Sequence, residues 1–156
     1  MATNRIGLAG KALHKVIHMN PNDTFMVICC GYGLILTGEF NTGIEIMHSC
    51  IDLTPSLISK HHHLPLVLVA LHRAESEKAL NEAALFNIPG FFWSPLLQAV
   101  ALIHLGRLHE VRNAYARVLE LKPDFAHHAQ SYIKRMVIPE DLRKSFFTAL
   151  GSVGTG

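Results

Sequence analysis

Eleven histidines and three cysteines are the side chains of this 156-residue chain with the plainest chemistry, and that chemistry would be metal ligation. His14 and His18 stand at i and i+4, which places them on one face of a helix. The residues between them are Lys15, Val16 and Ile17, without the glutamate that a zinc-protease helix needs. His61, His62 and His63 are consecutive, and neighbours on a helix diverge by about 100°, so the three cannot converge on one ion. His127 and His128 are again adjacent. A zinc centre wants roughly three or four ligands with supporting shells. The spacings therefore favour solvated or capping histidines, and neither a metal nor another cofactor is expected.

The cysteines and acids give no catalytic pattern either. Cys29, Cys30 and Cys50 are an odd number without C-x-x-C spacing, and the first two lie in an apolar stretch where a thiol acts as a small hydrophobe. Nothing at the N-terminus has the basic-then-apolar form of a signal peptide, so the chain reads as a protein of a reducing, cytoplasmic interior. G-x-S-x-G, P-loop and G-x-G-x-x-G stretches are missing, and Gly31-Tyr32-Gly33 falls mid-helix without the strand a phosphate role requires. Glu110, Glu120 and Glu140 are scattered. No catalytic residue is assigned, and the expectation is a non-enzyme.

Composition narrows the partners. The net charge of +2 is spread among acids rather than gathered into the stripe that phosphates need, which argues against nucleic acid. Hydrophobic residues make up 49% and charged residues 17%, yet no apolar run reaches the ~18 residues of a membrane span. The longest, Leu64–Leu71, reads as a buried element.

What positions these residues is a period. Prolines fall at 21, 55, 89 and 123, always 34 residues apart, and a fixed repeat of this size marks one supersecondary unit stacking on its neighbours. Aligning the second unit with the fourth matches Gly31 with Ala99, Gly38 with Gly106, Phe40 with Leu108, Cys50 with Val118 and Leu53 with Leu121. Gly31 and Ala99 are small where a second helix must press close. Gly38 and Gly106 come where the apolar period breaks, as a left-handed C-cap residue would. Each unit reads as helix A, a tight turn, helix B and a proline that stops B. The first unit holds only a helix B, with Ala9, Leu13, Val16 and Met19 on its core face. In the third, the turn at Arg73–Glu77 has no glycine, Ala79 comes two residues late, and Pro65 predicts either a kink or a helix A that starts late. After Pro123, Asp124 is placed to cap one terminal helix, and Pro139, Glu140 and Asp141 suit the first turn of another.

The order of small residue, glycine, aromatic or apolar residue and final proline over this period resembles the tetratricopeptide repeat family. The resemblance implies an all-α, single-domain α-solenoid over residues 1–156: a half repeat at 4–22, repeats at 23–56 and 91–124, an irregular repeat at 57–90 and capping helices over 125–150. It also implies a protein-interaction or scaffold module whose A helices line an apolar concave groove for a peptide or a partner helix. The groove positions carried over are Phe25, Ile28, Tyr32 and Ile35 in the second unit, His62 and Leu66 in the third, and Trp93, Leu96, Val100 and Ile103 in the fourth. Each of these can equally be core, since an apolar stripe at helical spacing is more often core than contact. Ile28 and Tyr32 stand where a carboxylate-binding member would have polar side chains. The stretch 87–108, followed by Glu120–Phe125 and two terminal helices, is similar to the C-terminal repeat arrays of bacterial multidomain signalling proteins, which follow an adenylate cyclase-type or winged-helix domain. The partner would then be a protein or peptide, or another domain of the same polypeptide. The apolar face at Ala9, Leu13 and Val16 leaves self-association through the N-terminal edge, as a homodimer, as the alternative.

The register makes a mutational contrast. Gly31→Leu should overpack the A/B contact and cost roughly 1–3 kcal/mol, whereas Glu110→Ala should stay within about 0.5 kcal/mol. Thermal denaturation of the two variants checks this; equal melting temperatures would contradict the register.

Overall fold

The computed structural model describes residues 2–53, 59–136 and 138–151. These form nine α-helices and no strand: α1 (Ala2–Met19), α2 (Thr24–Leu36), α3 (Phe40–Leu53), α4 (His63–His72), α5 (Ser76–Leu85), α6 (Trp93–His104), α7 (Leu108–Leu121), α8 (Phe125–Arg135) and α9 (Glu140–Gly151). The fold is all-α. Among the described residues no helix is long and apolar enough to cross a membrane. The chain divides into two compact units, Met1–Ser59 and Lys60–Gly156. Pro55, one of the four periodic prolines, lies outside the described residues.

Three helical hairpins, α2–α3, α4–α5 and α6–α7, are closed by the same reversal. The amide of Glu39 donates to Leu34 O at 2.9 Å and that of Gly38 to Ile35 O at 3.1 Å. Glu75 and Ala74 repeat the pair on Ala70 O and Leu71 O, and Arg107 and Gly106 repeat it on Leu102 O and Ile103 O. Each pair satisfies two of the carbonyls that a helix end leaves open, and the geometry requires a left-handed residue just past the cap. Gly38 (φ +94°) and Gly106 (φ +69°) fill that position, as the sequence predicts. In the glycine-free turn Ala74 takes it, at φ +57°. Ala74 stands two residues beyond the midpoint of Gly38 and Gly106, so the third unit is offset by the amount its alanine pattern suggests. Pro65 produces a late start rather than a kink. A 3-10 turn at Lys60–His62 leads into α4, and Pro65 sits in the first helical turn, where its lack of an N–H costs nothing.

In the first unit the helices meet through glycine. A Cβ on Gly31 would lie 3.0 Å from Met47 Cγ and 3.1 Å from Gly43 O, and one on Gly43 would lie 2.6 Å from Gly31 O. The closest approach of α2 and α3 therefore runs through a glycine on each helix. On its other side α2 meets α1, where a Cβ on Gly33 would come within 2.8 Å of Leu13 Cδ1. Of the core face expected for α1, Leu13 makes this contact, but Gly10 rather than Ala9 is its buried small residue and Met19 is exposed. The Asp23 carboxylate accepts from the Met26 amide at 3.0 Å and fixes the start of α2.

In the second unit Ala79 of α5 packs with Ala70 of α4 and Ala101 of α6, so α5 lies against both A helices through alanines. Ser94, a buried polar side chain, donates to Phe86 O at 2.8 Å and accepts from the Ile88 amide at 3.1 Å. This pins the α5–α6 connection against the start of α6. Asp124 does not cap α8 with its side chain, contrary to the sequence expectation. Its carboxylate accepts from Tyr132 Oη at 2.6 Å and from Lys122 Nζ at 3.1 Å instead. The Tyr132 hydroxyl first, and then Lys122, hold the carboxyl below its ordinary range.

The alanine in a left-handed turn identifies a site for stabilisation. A left-handed non-glycine residue costs roughly 1–2 kcal/mol. Ala74→Gly should therefore raise stability by about 1 kcal/mol, and Gly106→Ala, where an added Cβ meets nothing within 4 Å, should lower it by about as much. Urea denaturation of both variants measures the pair of opposite shifts.

Candidate interaction surface

α2 has almost no polar side chain: its sequence from Thr24 to Leu36 is TFMVICCGYGLIL. A helix apolar on every side is stable when it is surrounded. α2 is enclosed on the side of Val27, Ile28, Cys30, Gly31, Leu34 and Ile35, which are buried, and meets α1 at Gly33 on another. The remaining sector carries Phe25, Cys29 and Tyr32 at i, i+4 and i+7. Phe25 is 61% exposed, Cys29 is exposed and Tyr32 is half-buried. Of the four groove positions expected in this unit, Phe25 and Tyr32 thus face outward. Ile28 and Ile35 are core, because they fall on the side of the helix that carries Gly31 and Leu34. Desolvation, with a smaller push from the Asp23 carboxylate, raises the Cys29 thiol above its ordinary pKa, so it is held as the thiol and adds apolar surface.

The A-helix side of the second unit is arranged differently, because α9 lies on it. α9 contacts both α4 and α6. Asp141 Oδ2 is 2.7 Å from His72 Nδ1 at the end of α4, and Ser145 Oγ is 3.0 Å from His104 Nε2 at the end of α6. Leu150, at the other end of α9, packs against the cluster of Leu96, Val118 and Phe125, together with Trp93 near the start of α6. α9 therefore runs antiparallel to α6. Its Leu142, Phe146 and Ala149 are buried. Leu96 and Val100 are 0% exposed, while Trp93 and Ile103 are half-buried. Leu96 and Val100 are thus core positions rather than a surface awaiting a partner. His62 and Leu66 of the third unit are half-buried.

Four of the histidines, His72 and His104 among them, pair with side chains of other elements. His14 Nε2 lies 2.8 Å from Glu39 Oε2, tying α1 to the turn after α2, and His63 Nδ1 lies 2.8 Å from Glu82 Oε2, tying α4 to α5. Among the described residues no group of three or more His, Cys, Asp or Glu side chains gathers as metal ligands would.

Sequence reasoning did not find α9 as the helix that covers this face. Its signal is present: Leu142, Phe146 and Ala149 are spaced for one helical face, behind an acidic first turn. That pattern identifies an amphipathic helix without saying which surface it covers.

Apolar burial, rather than the polar pairs at its edge, should hold α9 in place. Phe146→Ala should cost about 3–5 kcal/mol, as fully buried aromatics do. Asp141→Asn, at a pair whose side chains are 39% and 55% exposed, should cost at most about 1 kcal/mol. Urea denaturation of the two variants tests the ranking. Comparison with family models, curated proteins and solved structures returned no match to this chain.

Proposed function

We propose that the chain is a tetratricopeptide-like α-solenoid serving as a protein-interaction or scaffold module, with no catalytic chemistry of its own. The observation that carries this reading is the threefold recurrence of one hydrogen-bonded reversal, at Gly38, Ala74 and Gly106, each joining an A helix to a B helix. The open sector of α2 is the docking surface, and its ligand is an apolar peptide or an amphipathic helix laid across Phe25, Cys29 and Tyr32. A side chain such as Phe25 gains about 1.5–3 kcal/mol on being fully covered, and an apolar surface of this kind takes helices by their i, i+3, i+4 anchors. The second unit contributes rigidity, its A-helix side being closed by α9. A place as the C-terminal regulatory repeats of a bacterial signalling or transcription-regulatory protein follows from the same resemblance, and a cytoplasmic setting is read from the three free cysteines.

Capture from lysate of the source cell tests the reading. A partner retained by the wild-type chain should be lost with Phe25→Asp and with Tyr32→Ala, at unchanged helicity. Equal retention by all three proteins would remove α2 as the docking surface.

A further inference from the structure

α1 is a B helix by position: it precedes an A helix and packs on it through Leu13 and Gly33. The other B helices, α3, α5 and α7, each pair with an A helix of their own hairpin. For α1 no such partner stands among the described residues, and the face where it would lie is bare. Leu8, Ala12, Val16 and Met19 follow one another at helical spacing. Leu8 is 60% and Met19 69% exposed, Ala12 is exposed, and Val16 is half-buried. The small Ala12 at the centre allows a second helix to approach closely.

Charge selects the occupant. α3, α5 and α7 all carry carboxylates, among them Glu45, Glu82 and Glu120, whereas the 18 residues of α1 contain none. Lys11 and Lys15 flank the bare face on one side, both exposed, and among the described residues neither has an ion-pair partner. In an antiparallel pair of identical helices like flank meets like flank. A second copy would therefore set Lys11 and Lys15 against Lys15 and Lys11, and like charges across a contact are penalised. An acidic flank is attracted instead.

We propose that the outward face of α1 docks an amphipathic helix with an acidic flank, seated as an A helix sits on α3, α5 or α7. This rests on the repeat reading above but uses a different surface from α2. Its probes are two synthetic peptides of about 20 residues, long enough to be helical, which share a Leu/Ala face and differ only in Glu or Lys flanks. Fluorescence anisotropy with the full chain should show the Glu-flanked peptide binding about tenfold or more tightly than the Lys-flanked one, with the preference fading at high salt. Lys11→Glu combined with Lys15→Glu should reverse the preference, and Ala12→Trp should abolish binding of both. The same charge reversal at the exposed Lys144 should change neither. Equal binding of the two peptides overturns the proposal, as does a light-scattering mass at twice 17.3 kDa without peptide, which would give the face to a second copy. Loss of binding in Tyr32→Ala but not in Ala12→Trp also overturns it, and leaves the α2 reading standing.

Discussion

A helix can be folded back on itself within three residues only if one of them accepts a positive φ, and the three hairpins of this protein depend on that constraint. Two amides just past each A helix must reach carbonyls three and five residues back, so that the reversal is paired rather than left open. Once the reversal is set, the point of closest approach is set with it. Gly31, Val67 and Ala99 stand seven residues before their reversals, and Gly43, Ala79 and Val111 stand five after. All six are buried. In the first unit glycine meets glycine across the two helices, and at the same register the other hairpins hold one alanine and one valine, side chains small enough for helices to pack closely.

This accounts for what the sequence discloses and what it obscures. The all-α fold, the hairpins and the left-handed glycines are legible because a proline stop and a glycine cap are local devices with a physical reason at one position. The third unit is harder to read because its left-handed residue is an alanine, which nothing in the sequence distinguishes from a helical alanine. The offset of Ala79 is the trace it leaves. Asp124 illustrates the opposite failure. An aspartate ahead of a helix looks like a cap, but a tyrosine one helical face away and a neighbouring lysine outcompete the backbone amides for its carboxylate. The small buried position of α1 is misjudged by one residue for a similar reason. Gly10 and Ala9 are both small, and only Thr37 and Glu39, which face Gly10 from the reversal after α2, decide which is covered.

The proposed docking face is less legible than the fold. An apolar residue on an A helix has the same appearance whether a neighbouring hairpin, a distant helix or another molecule covers it. Ile28, Ile35, Leu96 and Val100 turn out to be core, and Phe25 and Tyr32 do not. What separates them is partly helical phase, which the sequence contains, and partly the placement of α9, which it does not. Nothing in the pattern of α9 states that it must lie along α6 rather than continue the stack. Its companions His72 and His104 become informative only once Asp141 and Ser145 are known to face them.

The A helices are nearly uncharged, and that has a consequence for recognition. α2, α4 and α6 contain no acidic residue and no lysine or arginine. Apolar surface supplies affinity with little discrimination, because almost any amphipathic helix can cover it. Discrimination then has to come from the flanks, where charge steers the encounter and penalises the wrong partner. In this chain the flanks belong to the B helices and to the reversals. Those of α3, α5 and α7 carry acids, several of them bound to nearby cations or histidines, as Glu82 is to His63 and Glu120 to Arg117. α1 alone among the B helices combines a bare apolar face with unneutralised lysines. Under the proposal above, affinity and selectivity would be combined on this one helix.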